Sequence, residues 1–285
     1  MLSVSIGSSC SDSIGNTRMV THTEQPWFVL NAAKYYNLTM GKGSAISSYY
    51  SFEADRSNGQ IIAVPDGCID ILFDCDRDRP QAHVCGSTME AQAADLKHRH
   101  RYFGVRFAQG MLPDFLDVPA ADLVGQRSPL LELVPEFEPV FAQIVETEAF
   151  SDQVAIFQYF QAGTSPRTLS SVTASAIGEI WKHKGDVRIQ QLEEVTGFTT
   201  RTLQRQFQND MGMSPKAYCR IVRCQWAIHE INHRTQLAFS DLACELGYSD
   251  QPHFLREFKR LVSTTPLQYQ RRLEQSRKLQ RFFPS

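Results

Sequence analysis

GYSDQPHFLREFKRLVSTTP, residues 247–266, decides the reading of this chain. It opens on a glycine, passes through polar residues and a proline, and then spaces apolar side chains helically around Arg256, Lys259 and Arg260. A plain surface helix has no need of the proline, and a core helix has no need of three cations. Gly247 suits a sharp turn, because a residue without Cβ reaches left-handed conformations at little cost. Ser249 offers the hydroxyl of an N-cap. Pro252 falls in the first helical turn, where a missing N–H matters least. Phe254 and Phe258 are four apart, so they share a face that should be buried. The segment is expected to serve a protein core on one side and a polyanion on the other.

The same pattern occurs earlier in the chain. Leu192, Gly197, Phe198 and Thr199 match Leu242, Gly247, Tyr248 and Ser249 at an offset of 50. Arg205, Phe207, Pro215 and Tyr218 match Arg256, Phe258, Pro266 and Tyr269 at an offset of 51. One residue is therefore expected to have been added inside the second helix of the later copy. Each copy reads as helix, glycine turn, Ser/Thr cap and second helix, the order of a helix-turn-helix. In the first copy Leu203 and Phe207 define the buried face, and Arg201 and Arg205 project together on the other side with Gln204. Arg pairs bidentately with guanine, Gln reads adenine, and a helix N-terminus favours phosphate. The candidate DNA contacts of the first copy are thus Arg201, Gln204 and Arg205, with Thr200 at the helix start. A helical link of about 16 residues between the copies would run roughly 24 Å. With the helix widths added, it would hold two recognition helices about one DNA turn apart, roughly 34 Å.

Charge supports this reading. From residue 186 onward there are 15 Lys/Arg against 10 Asp/Glu, whereas the first 185 residues hold 14 against 21. A basic C-terminal third on an acidic body points to a nucleic-acid partner. Hydrophobic residues at 42% and charged residues at 21% supply a sizeable globular core.

At residue level the C-terminal part resembles the DNA-binding domain of the AraC/XylS family of bacterial transcription regulators. The resemblance runs over about residues 170–272. It rests on LQRQF (203–207), GMSP (212–215), Arg223 with Ala227, LACELGYSD (242–250), and then HF, REFKR and TP ahead of Tyr269. It implies two helix-turn-helix units joined by a helix, and promoter binding that recruits or blocks RNA polymerase. By motif position it places the base and phosphate contacts at Arg201, Gln204 and Arg205 in the first unit and at Gln251, His253 and Arg256 in the second, where Lys259 adds positive field. Two positions depart from the pattern. Ser263 stands where the family has glycine, which costs something if the backbone there needs positive φ. Glu193 stands where the second copy has Ala243, a small residue that packs between helices, so its side chain is expected to turn outward or to be tolerated at an edge.

The N-terminal half reads as strands. AISSYYSFEA, QIIAV, CIDILFDC and YFGVRF are short apolar or alternating runs between turn signals. They are followed by the helical segments LLELVPEFEPVFAQIVETEAF and SDQVAIFQYFQ. VPDGCIDILFD, YFGVRFAQGMLPDFL and VPAADLVG resemble the sensing domains of some of these regulators, which implies a cupin-like β-barrel or sandwich with a helical extension. The expected fold is therefore α+β, with that domain ahead of an all-α double helix-turn-helix domain. The expected boundaries are a flexible lead-in over 1–24, a sensing and dimerisation domain over 25–160, a linker over 161–170 and the DNA-binding domain over 171–285.

For sensing, Trp27, Tyr49, Cys68 and Arg106 are the candidate effector contacts. Arg106 alternates with Val105 and Phe107, so it should point to the opposite face of its strand, either into a barrel, where a guanidinium holds a carboxylate or phosphate, or to a pairing on the surface. Cys68, Cys75 and Cys85, with His83, His98 and His100, offer metal or thiol chemistry, although cysteines on strands are commonly small core residues. Seven cysteines without C-x-x-C spacing give neither a disulfide framework nor a zinc finger. GxSxG and P-loop patterns are absent, so no catalysis, cofactor or metal is expected. The N-terminus lacks the basic and apolar regions of a signal peptide, and a cytoplasmic protein is expected. The expected partners are double-stranded promoter DNA, RNA polymerase, a small-molecule effector and a second copy in a homodimer, and no membrane. Two other readings stand beside this one: a regulator controlled by a protein partner, and a cupin-type metal enzyme fused to a DNA-binding domain.

Overall fold

The structure, a computed structural model, describes residues 23–41, 43–55, 59–164, 166–234 and 236–282. The lead-in expected over residues 1–24 lies almost wholly outside them. The chain begins with a short helix α1 (Pro26–Leu30), followed by strands β1 (Ala32–Thr39), β2 (Ile46–Ala54), β3 (Ile62–Ala63), β4 (Asp70–Asp74), β5 (Gln81–Cys85), β6 (Gln92–Ala93), β7 (Arg101–Phe107) and β8 (Leu112–Pro113). Helix α2 (Ala120–Leu123), strand β9 (Arg127–Pro129) and helices α3 (Leu130–Leu133), α4 (Glu138–Glu146) and α5 (Phe150–Gln161) complete the N-terminal part. Strand β10 (Pro166–Arg167) leads to helices α6 (Ser171–Lys182), α7 (Ile189–Thr196), α8 (Thr200–Met211), α9 (Pro215–His233), α10 (Phe239–Glu245), α11 (Gln251–Val262) and α12 (Pro266–Phe282).

The strands do not close into a barrel. Six of them form one antiparallel sheet in the order β1-β2-β7-β4-β5-β9, with β1 and β9 at its edges. β3 pairs with β6, and β8 pairs with β10, in two small separate ladders. An open sheet has no interior for its side chains, so both faces need a cover. Alternation along the strands sorts the residues. Tyr49, Ile71, Phe73, Phe103 and Val105 join one cluster with Phe137, Phe141, Ile144 and Phe157 of the α3–α5 region. Tyr50, Phe52, Leu72 and Tyr102 face the other way, into a cluster that continues into the C-terminal helices. The molecule is therefore layered as helices, sheet, helices.

Helix α1 is the wedge that makes the second layer continuous. Phe28 packs edge-on against Phe52 of the sheet, with ring centroids 5.5 Å apart. Trp27 packs edge-on against Tyr269 at 5.8 Å and donates its indole N–H to the Val262 carbonyl at 3.0 Å. The expected linker is itself tied down, since β10 pairs with β8 and Ser170 caps α6 through its hydroxyl.

The C-terminal helices repeat as the sequence requires. α8 and α11 are each 12 residues long. Thr200 and Gln251 open them, Leu203 and Phe254 lie in the first turn, and Phe207 and Phe258 lie one turn on, all at an offset of 51. The extra residue of the second copy thus sits in the turn before the helix, not inside it. Gly197 and Gly247 end the preceding helical turns with φ of +74° and +68°. Gly247 is doubly constrained, because a Cβ there would meet the Asp186 carboxylate.

Ser263 ends α11 in the left-handed region, with φ +66° and its N–H donated to the Lys259 carbonyl at 2.9 Å. Gly212 holds the same place after α8 with φ +69°. A Cβ is disfavoured in that conformation. Ser263→Gly is expected to stabilise the fold by about 0.5–1 kcal/mol, the relief being partly offset by the freer unfolded chain. Calorimetry should show a Tm higher by roughly 2 °C; an unchanged or lower Tm refutes a strained serine at this turn.

Candidate DNA-binding interface and sensing cavity

Helices α8 and α11 each divide into two faces. In α8, Leu203, Phe207 and Met211 are buried, while Arg201, Gln204, Arg205 and Gln208 are exposed. In α11, Phe254, Phe258, Leu261 and Val262 are buried, while Gln251, Arg256 and Lys259 are exposed. The exposed Arg and Gln side chains are long, polar and on the outer side of a helix anchored by phenylalanines, the arrangement that a major groove accepts. His253 is less free than the arginines. Its ring lies edge-on to Tyr248, its Nδ1 is 3.1 Å from the Ser249 hydroxyl, and its Nε2 is 3.8 Å from Glu257.

The caps differ between units because the turns differ in length. Thr199 caps α8, its hydroxyl accepting from the Thr202 N–H. The expected cap of the second helix, Ser249, lies one residue too early. Asp250 caps it instead, its carboxylate accepting from the His253 N–H at 2.6 Å. The missing donor of Pro252 is therefore no loss, since the capped N–H is that of the next residue.

Glu193 finds a use at the same end of α8. Its carboxylate accepts from both the N–H and the hydroxyl of Thr200. Those bonds hold its pKa below the usual carboxylate range. Thr200, a candidate DNA contact, is thus engaged within the protein, at a helix terminus where a carboxylate complements the dipole.

Helix α9, 19 residues long, joins the units and spans about 28 Å. Arg223 on α9 fixes their relation. Its guanidinium donates to the Gly247 carbonyl at 3.3 Å and the Gly185 carbonyl at 3.2 Å, and lies over the Tyr248 ring.

The candidate effector residues separate. Arg106 does face away from Val105 and Phe107, toward the C-terminal layer, and there it borders two cavities of about 400 and 260 Å³. The smaller one is also lined by Tyr50, Asp66, Cys68 and Asp70. Trp27 and Tyr49 line neither. Trp27 is consumed by the contact with Val262 and Tyr269. Tyr49 is fully buried beneath α3–α5, stacked on Phe103, because strand alternation turns it away from Arg106. Tyr50, its neighbour, takes the cavity position.

Arg106 is not an open anion trap. Its fork is bidentate on Asp70, with Nε–Oδ1 and Nη2–Oδ2 both 2.9 Å, and its Nη1 lies 3.1 Å from Asp66 Oδ2. Burial alone would lower the guanidinium pKa, and the two carboxylates more than offset it. Burial raises Asp66 above the usual carboxylate range, with Arg106 pulling against it. Cys68 and Cys75 are buried thiols pushed up by desolvation, and Cys85 is pushed up to about 12. A raised thiol pKa keeps these groups protonated, unlike a reactive or metal-bound thiolate.

Asp66 also faces the DNA-binding domain. Its backbone carbonyl accepts from Gln109, and the Gln109 Oε1 accepts from Trp181 Nε1 at 2.8 Å and from the Tyr218 hydroxyl at 2.6 Å. Nothing at the level of sequence period connects these residues.

A family profile described as a helix-turn-helix domain matches residues 192–272, and one described as a domain of unknown function (DUF6597) matches residues 44–129. The C-terminal domain belongs to the AraC/XylS helix-turn-helix family. This AraC/XylS-type domain is 29% identical over 100 residues to an uncharacterised HTH-type transcriptional regulator of Haemophilus influenzae, covering 35% of this chain and 33% of that one. It is 32% identical over 73 residues to the HTH-type transcriptional activator RhaS of Escherichia coli, covering 26% of each. The chain thus spans a third or less of the length of these curated relatives. Among solved structures, ToxT from Vibrio cholerae is similar over 84% of this chain and 97% of its own, at 11% identity and a TM-score of 0.41.

The cap assignment is testable. Asp250→Ala is expected to cost about 1 kcal/mol in urea unfolding, and Ser249→Ala only about a few tenths. Equal losses, or a larger loss at Ser249, return the cap to the serine.

Proposed function

We propose that this protein is a sequence-specific DNA-binding transcription regulator in which α8 and α11 enter two successive major grooves on one face of promoter DNA. The observation that carries the reading is the pairing of two recognition helices with matching faces: buried phenylalanines on one side, exposed Arg201, Gln204 and Arg205 or Gln251 and Arg256 on the other. The basic balance of the C-terminal third adds the electrostatic attraction that such binding uses. Lys259 supplies field and His253 a contact shared with Ser249, whereas Thr200, whose N–H and hydroxyl both donate to Glu193, serves the helix start within the protein. Sensing and dimerisation belong to residues 25–160 in this reading, and RNA polymerase is the partner through which promoter binding acts.

The effector reading rests on the cavity beside Arg106. Its charged lining is Asp66, Asp70 and Asp95 against Arg106 and Arg127. An anionic effector would have to displace two carboxylates from Arg106, at the cost of leaving them buried and unpaired. A neutral or cationic molecule with hydrogen-bond donors fits this wall better.

The test is a gel shift at fixed salt on the promoter regions flanking the protein's own gene. Arg205→Ala and Arg256→Ala are each expected to weaken specific binding by about 1–3 kcal/mol, with little change in Tm. Wild-type affinity in both variants removes the interface assignment. A thermal-shift screen of small amines and neutral metabolites tests the cavity, since a ligand of the native state raises Tm.

A further inference from the structure

Outside α8, α11 and the Arg106 cavities, one cluster among the described residues has the chemistry of a binding site. Glu24, His229 and His233 offer ligand atoms that all lie within 4.8 Å of one another. His229 and His233 are four apart on α9 and share a face, with ring centroids 4.1 Å apart. Glu24 comes from the segment ahead of α1, more than 200 residues away in sequence.

The surrounding hydrogen bonds arrange these groups as a metal would need them. His233 Nδ1 lies 2.8 Å from the His229 carbonyl. A carbonyl only accepts, so Nδ1 carries the proton and Nε2 keeps its lone pair outward. Metal-binding histidines are commonly oriented by such a bond from the other ring nitrogen. His229 Nδ1 is 3.2 Å from Glu24 Oε1, and its ring is held edge-on by Trp226. Glu24 is fixed at both ends. Its carboxylate accepts from Asn232, whose own carbonyl oxygen accepts from the Tyr269 hydroxyl at 2.7 Å. Its backbone N–H donates to Gln225 Oε1 at 2.7 Å, and its carbonyl accepts from Gln225 Nε2 at 3.3 Å.

We propose that Glu24, His229 and His233 bind a divalent transition-metal ion, with Zn²⁺ the best match, and that the ion staples the N-terminal segment to the helix joining the two helix-turn-helix units. Two imidazoles and one carboxylate are a three-ligand set that zinc accepts with water in the fourth position. Bonds of about 2.0–2.2 Å would draw together ligand atoms that now lie within 4.8 Å of one another. His233 is exposed, which leaves the water side open and gives the ion a way in. The sequence signal was present as H-E-I-N-H at 229–233, an i, i+4 histidine pair, but its third ligand is visible only in the tertiary structure.

The test uses the full chain, stripped with chelator and titrated calorimetrically with Zn²⁺ in the absence of DNA, so its outcome is independent of the regulator reading. One equivalent is expected to bind and to raise Tm. His233→Ala and Glu24→Gln should each lower the affinity at least tenfold while leaving the circular dichroism of the metal-free protein unchanged. Co²⁺ should give weak d–d absorption without a thiolate charge-transfer band. Failure to bind an equivalent of Zn²⁺, equal affinity in both variants and wild type, or a thiolate band in the Co²⁺ spectrum each overturns the site.

Discussion

The burial of α9 on two sides at once organises this molecule. Tyr218, Ile221 and Val222 pack into the core of the first helix-turn-helix unit. Cys224, Ala227, Ile228 and Ile231 pack into the cluster that holds the second unit and one face of the sheet. Two apolar faces buried against different clusters leave α9 largely interior, although it also carries polar side chains. Polar side chains on such a helix then need partners. Gln225, only 2% exposed, donates to the Pro65 carbonyl at 2.8 Å and brackets Glu24. Tyr218 donates to Gln109. Each of these bonds crosses from the DNA-binding domain to the N-terminal part, so the strut between the two units is also the seat of the other domain.

This arrangement brings the cavity wall and the first unit into one hydrogen-bonded assembly. Arg106 and Asp66 form an ion pair at the cavity, and the Asp66 carbonyl meets the Gln109, Tyr218 and Trp181 group. The second unit is held from a different direction. The Arg260 carbonyl accepts from the Ala91 N–H at 3.1 Å, its guanidinium lies 3.4 Å from Glu90, and Trp27 takes the carbonyl of Val262. Both units thus meet the N-terminal part through buried or backbone contacts, rather than hanging from residues 161–170.

The two faces of α8 and α11 were legible in the sequence. The i, i+4 spacing of Leu203 with Phe207 and of Phe254 with Phe258 determined which side of each helix is buried, and therefore which side carries Arg201, Arg205 and Arg256. The period of a helix is fixed by its backbone geometry, so such faces survive any tertiary context. Where the inserted residue sits was not legible. A one-residue offset between two copies is compatible with a longer turn or a longer helix, and only the position of the cap distinguishes them. Asp250 rather than Ser249 resolves it. The barrel expectation failed for a related reason. Alternating strands specify two faces, but both an open sheet with two helical covers and a closed sheet satisfy that pattern.

The sequence by itself determined local periodicity: two recognition helices, their caps to within one residue, the opposed directions of Val105 and Arg106, and the positive-φ positions at Gly197, Gly212 and Gly247. Tertiary structure alone decided the partners. It gave the Arg106 fork to Asp70 and Asp66, turned Glu193 onto Thr200, spent Trp27 on the domain junction and brought Glu24 to His229. Periodicity depends on neighbours a few residues apart, whose geometry the backbone dictates. Partnership between groups from 7 to 235 residues apart in sequence depends on how helices and layers stack, and burial then compels each polar group to find whichever partner that stacking supplies.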